Sequence, residues 1–158
     1  MAHVYHATVL WRRGDQVFTD RHYSRGHVWR FDEGVEVPAS SSPLVVPRNS
    51  VAAAVDPEEA FVASLSSCHM LFFLDFAVRA GFRIDSYEDA ATGEMGKNAQ
   101  GKFYVAKVTL NPHIVFSGDK RPSEAEIATL HHKSHEECFI ANSVTTEVAI
   151  ASVPPQFA

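Results

Sequence analysis

Two cysteines, Cys68 and Cys138, are the residues of this 158-residue chain best suited to covalent chemistry. They lie 70 positions apart, in Ser66-Ser67-Cys68-His69 and Glu136-Glu137-Cys138. Three chemistries are open to them. They can be buried free thiols, since cysteine is among the most buried residue types. They can be a redox pair, in which one thiolate attacks an O–O bond, becomes a sulfenic acid and condenses with the second thiol to a disulfide. That route needs an ionised first thiol and therefore a cation nearby. Mid-helix, Cys68 gains little from a helix N-terminus, so an arginine from elsewhere has to supply the charge. The third chemistry is zinc binding: His131, His135 and Cys138 share a helix face at i, i+4 and i+7, and Cys68-His69 offers further ligands. Neither CxxC nor HExxH is present, and the expectation is no bound metal or cofactor. His69 points about 100° away from Cys68 around a helix, which suits packing better than service as a base.

The elements that must carry these residues follow from patterning. Asp56-Pro57-Glu58-Glu59 is a helix start: Asp56 as N-cap, Pro57 in the first turn and Glu59 at the capping-box position. The helix is expected to run to Ala80 and stop at Gly81. Its second half, from Met70 to Val78, is apolar nearly all round, so other structure is expected to wrap it, with Cys68 inside. Before it, His3–Arg12, Tyr23–Phe31 and Val35–Val37 read as strands, Pro38 ending the third. The Ser- and Pro-rich residues 39–55 read as one long loop, of a length that tends to be functional. After the helix come strands at Ile84–Met95 and Phe103–Phe116. A second helix opens at Pro122-Ser123-Glu124, Cys138–Ala141 forms a further turn, and a last strand covers Thr145–Ser152. The order β-β-β-α-β-β-α-β describes an α+β fold, a largely antiparallel curved sheet around a buried central helix in a single domain over residues 1–158.

Composition excludes several classes. Apolar residues make up 46% and charged residues 21%, ordinary for a globular chain. Fourteen Lys plus Arg against 19 Asp plus Glu leave a net charge of −5, unsuited to nucleic acid. The uninterrupted apolar stretch is short for a bilayer, and the N-terminus lacks the charged leader and apolar core of a signal peptide. A cytoplasmic protein with no membrane partner is expected, and two cysteines are too few for a disulfide-stapled secreted domain.

The run Asp56-Pro57-Glu58-Glu59-Ala60-Phe61-Val62-Ala63-Ser64-Leu65-Ser66-Ser67-Cys68 resembles the signature of the OsmC/Ohr family of organic hydroperoxide reductases. Cys138, in a helix shortly before the last strand, and the order of elements agree with it. Phe139 stands where the family often has proline, and His69 where it often has an aromatic residue. The resemblance implies an OsmC-like intertwined dimer. It makes Cys68 the peroxidatic cysteine, Cys138 the resolving one, and Glu58 the carboxylate that holds a catalytic arginine. Arg25, in Ser24-Arg25-Gly26 before a strand, is the best positional match, ahead of Arg30 and Arg21. The substrate implied is an organic hydroperoxide, approached through Phe61, Phe72 and Phe73, and the reductant an external dithiol, with a lipoylated protein as the candidate.

A competing reading is a non-catalytic protein that binds an apolar ligand or partner, its cysteines structural or redox-sensing. The homodimer has a geometric argument of its own. Ten residues of helix put Glu58 roughly 15 Å and about 1000° of rotation from Cys68. An antiparallel pairing of two such helices would bring Glu58 of one chain toward Cys68 of the other.

Overall fold

A reciprocal capping box starts the long helix where the sequence places it. Asp56 Oδ1 accepts from the Glu59 N–H at 2.8 Å, and Glu59 Oε2 accepts from the Asp56 N–H at 3.1 Å. The helix, α1, spans Pro57–Arg79, and Gly81 at φ 80° turns the chain out of it. The computed structural model describes residues 2–158. The chain forms two compact units, one ending at Ala60 and one spanning Phe61–Ala158.

The first unit is a three-stranded antiparallel sheet, β1 (Ala7–Leu10), β2 (His27–Phe31) and β3 (Glu36–Ala39), in the order β1-β2-β3. Pro38 does not end the third strand as expected. It lies within β3 opposite Val28, and its carbonyl accepts from the Val55 N–H at 3.0 Å. Proline is tolerated there because β3 is an edge strand. The long Ser/Pro loop is tied rather than loose. Ser40 is buried, its Oγ accepting from the Val51 N–H at 2.9 Å, and the Ser41 and Ser50 hydroxyls meet at 2.8 Å.

The second unit holds the rest of α1, six strands and α2 (Glu124–Glu137). Each of the two long strands expected after α1 is two strands. The first divides into β4 (Arg83–Asp89) and β5 (Thr92–Lys97), the second into β6 (Phe103–Leu110) and β7 (Pro112–Ser117). β4 pairs with β7 and β5 with β6, both antiparallel, so the chain changes sheet at each break. Asp89 fixes the corner by accepting from the Asn111 N–H at 2.6 Å and from Ser66 Oγ of α1 at 2.5 Å. β8 (Glu147–Ile150) joins β6 in parallel, and β9 (Gln156–Phe157), not foreseen from the sequence, joins β7 in parallel. Ser123 caps α2, with Glu126 completing a second capping box.

The core of this unit is built on one stripe of α1. Leu65, His69, Phe73 and Ala77, spaced by four, are its buried residues. Phe73 and Ala77 join Phe82, Ile114, Phe116, Ile127 and Leu130, while Leu65 packs with Val108 and Leu110. The helix is therefore not wrapped on all sides within one chain: Leu71 is 62% and Val78 67% exposed. By length and composition alone α1 could cross a membrane, but its inner stripe is packed into this core.

Candidate two-thiol redox site

The two cysteines meet. Cys68 lies half-buried on α1, and Cys138 lies buried at the C-terminal cap of α2. Both are free thiols, and each is close enough for the Cys68 side chain to act directly on that of Cys138. The end of α2 aims the second thiol. The chain leaves the helix at Cys138 with ψ 110°, and the returning Ala141 N–H donates to Cys138 Sγ at 3.4 Å. Asn142 Nδ2 clamps that turn by donating to the carbonyls of Glu136 at 2.7 Å and Cys138 at 3.1 Å. The expected extra turn after α2 is a short 3-10 helix, Ala141–Ser143.

Burial first, and the neighbouring Cys68 thiol second, push the Cys138 thiol up to about 11. At neutral pH Cys138 is therefore a protonated thiol, unsuited to first attack and suited to a later step. Of the three phenylalanines expected to line the approach, two share the Cys68 face of α1, Phe61 two turns before it and Phe72 one turn after it. Phe72 packs edge-on against Phe139 with centroids 5.2 Å apart. Phe73 belongs to the core, five residues from Cys68 and on the opposite side of α1. Phe61 lines a separate cavity of about 380 Å³ with Tyr104, Val105 and the Ser143–Thr146 segment.

Arg25 and Glu58 belong to the first unit. Arg25 lies over the Tyr23 ring at 4.5 Å, its backbone N–H bonded to the Asn49 carbonyl at 2.8 Å. Its Nε is buried without a hydrogen-bond partner. Glu58 is half-buried in the first turn of α1, and among the described residues it forms no ion pair with Arg25. Of the other arginines considered, Arg30 is engaged by Glu36 at 2.6 Å and Arg21 is exposed in a turn at φ 64°. Arg25 borders a cavity of about 460 Å³ walled by Val9, Trp11, Phe18 and Tyr23, with His27, Ser40, Ser41 and Pro57 completing the lining. Phe18 and Tyr23 stack at 4.6 Å, and Trp11 meets each of them within 5.8 Å. Sequence reading missed this aromatic wall because it placed Trp11 and Tyr23 in two separate strands, His3–Arg12 and Tyr23–Phe31, and Phe18 in neither. The interruption of polar loop residues by large aromatics was the available signal.

A second group missed as a group is histidine. His69, fully buried, meets His131 of α2 at 3.0 Å between Nε2 and Nδ1, with the rings nearly parallel and 5.3 Å apart. Burial, then the nearby His131 and His135, lower His69 to about 3, and burial lowers His131 to about 4 despite the opposing Asp89 carboxylate. Both rings are therefore neutral at physiological pH. The expected packing role of His69 holds, but its partner, 62 residues away, was not visible in sequence. Among the described residues no three His, Cys, Asp or Glu side chains converge as a metal site, so the i, i+4, i+7 spacing on α2 does not assemble one.

An α+β framework that brings two sequence-distant thiols together defines a candidate two-cysteine redox protein. The family model for OsmC-like proteins matches residues 49–152, and the chain belongs to that family. It is similar over 96% of its length, and over all of the other chain, to an OsmC-like protein of unknown function from Vibrio cholerae, at 51% identity and TM-score 0.94. The fold is shared with an organic hydroperoxide resistance protein from Elizabethkingia anophelis, at 16% identity and TM-score 0.66 over 100% of this chain and 97% of that one. It is shared also with the organic hydroperoxide resistance protein OsmC of Legionella pneumophila, at 14% identity and TM-score 0.62 over 100% and 98%. Among curated protein sequences none matches.

Proposed function

We propose that this protein is a thiol-dependent peroxidase that reduces organic hydroperoxides to alcohols. The observation that carries the reading is the meeting of Cys68 and Cys138, both free, from two helices far apart in sequence. The Cys68 thiolate attacks the distal oxygen of ROOH. An S–O bond forms, the O–O bond breaks, and RO⁻ leaves to take a proton as ROH. The Cys138 sulfur then attacks the Cys68 sulfenic acid. The S–S bond forms, and the sulfenic oxygen leaves as water with the Cys138 proton. An external dithiol, a lipoylated protein being one candidate, restores both thiols by exchange and is itself oxidised.

Arg25 supplies the cation that the first step needs, stabilising charge on the departing oxygen. Its unpartnered Nε and the aromatic cavity beside it suit a substrate with a polar oxygen head and an apolar body. Glu58 orients that arginine from the first turn of α1 in the assembled site. We infer a homodimer for that site: Leu71 and Val78 on α1 stand exposed, and an isologous pairing would cover them. Two free cysteines suit a reducing compartment such as the cytoplasm.

Thiol titration before and after one equivalent of cumene hydroperoxide tests the reading. Two thiols per chain should disappear rapidly in the wild type and none by that route in Cys68→Ser. Survival of both thiols in the wild type would leave a non-catalytic binding protein in its place.

A further inference from the structure

Resting on the two-thiol reading, we propose that the His69–His131 pair is the positioning device that sets the approach of Cys138 to Cys68, and so governs disulfide formation rather than peroxide attack. The argument is one of placement within the second unit. His69 is the residue after Cys68 on α1, and His131 lies seven residues, about two turns, before Cys138 on α2. Their 3.0 Å hydrogen bond is thus a direct side-chain tie between the two helices that carry the thiols. Its surroundings fix it: His69 is 1% exposed, and His131 packs on the Phe73 ring at 4.4 Å.

The tie has a defined polarity. His69 Nδ1 is buried with no partner. A buried N–H without an acceptor costs more than a bare acceptor nitrogen, so the proton sits on His69 Nε2 and is donated to His131 Nδ1. Each ring is neutral, which the bond requires: with both rings protonated, two donors would face each other. Core packing by itself does not require imidazoles here. An apolar pair would fill the same space without leaving His69 Nδ1 unsatisfied. The retained polar contact therefore fits a demand for one specific α1–α2 register, which a slippery apolar contact does not impose.

The test measures the thiol pair without peroxide. Wild type, His69→Leu, His69→Gln and His131→Leu are equilibrated in glutathione buffers of graded ratio, where the protein dithiol plus oxidised glutathione gives the Cys68–Cys138 disulfide plus two reduced glutathiones. The disulfide fraction gives the effective concentration of one thiol at the other. Near-ultraviolet circular dichroism checks that each variant is folded. Losing the tie should lower the effective concentration about tenfold in His69→Leu and in His131→Leu, the weight of one buried hydrogen bond. His69→Gln, which can still donate from Nε2, should stay within about threefold of wild type. Equal effective concentrations in wild type and a folded leucine variant would overturn the proposal, as would a His69→Gln loss as large as that of His69→Leu. The leucine variants approach the tie from opposite helices, so one that fails to fold leaves the other to decide. Because no hydroperoxide is present, failure here leaves the peroxide chemistry of Cys68 untouched.

Discussion

Replacing both members of the His69–His131 pair by leucine should remove much of the protein's sensitivity to acid. In the folded chain His69 titrates at about 3 and His131 at about 4, whereas in the unfolded chain each titrates near 6.5. Folded values below unfolded ones mean that the unfolded state binds the extra protons. The contribution to stability is therefore complete above about pH 6.5 and is lost as pH falls toward the folded values. At pH 5 each ring costs about 2 kcal/mol, because the unfolded chain gains its proton and the folded chain does not, so the pair costs about 4 kcal/mol relative to pH 8. That is a large share of a typical domain's stability of about 5–15 kcal/mol. The assay is urea unfolding of the wild type and of His69→Leu/His131→Leu at pH 8 and pH 5, at one fixed protein concentration in case subunit association contributes. The wild type should lose about 4 kcal/mol more than the variant between the two conditions. Parallel losses in the two proteins would show that the imidazoles are not held neutral by the fold, and would refute the reasoning.

Three further outcomes follow from the geometry. Cys138→Ser should permit one turnover and then stall, the Cys68 sulfenic acid passing to the sulfinic form that mass spectrometry detects; sustained turnover with a dithiol would remove Cys138 from its role. Asp56→Ala should cost about 1 kcal/mol in urea unfolding, since it removes the acceptor at the head of α1, while Asp56→Asn should restore most of it. Light scattering should give twice the chain mass, and Leu71→Glu, which puts a charge on the exposed apolar side of α1, should shift the protein toward monomer with its secondary structure intact.

Local chemistry explains what could be read from the sequence. The Asp56 and Ser123 capping boxes fix both helix starts, because the partners are three residues apart and every atom involved is in the local run. The same run carries the resemblance that led to the family. Elsewhere the determinants are not local. Asn111-Pro112 is a local break signal within residues 103–116, but the choice of partner is not local: the breaks arise where β4 and β5 pair with different strands across Asp89 and Asn111. Apolar residues around α1 suggested burial on all sides, but exposure depends on what one chain can cover, and Leu71 stays outside. At the site, Cys68 and Cys138 were legible by residue type, and the aromatic setting of Arg25 was not, because Trp11, Phe18 and Tyr23 converge from separate segments of the chain. The His69–His131 bond closes over 62 residues, beyond the reach of any periodicity.

The central claim is that Cys68 and Cys138 together reduce an organic hydroperoxide. The most direct measurement treats reduced protein with one equivalent of cumene hydroperoxide, quantifies the alcohol, and maps the cysteine peptides without reduction. The expected result is one alcohol and one Cys68–Cys138 linkage per hydroperoxide consumed. Intact hydroperoxide alongside two unmodified thiols would contradict it, as would alcohol formation with Cys138 still free and no sulfenic or sulfinic acid at Cys68.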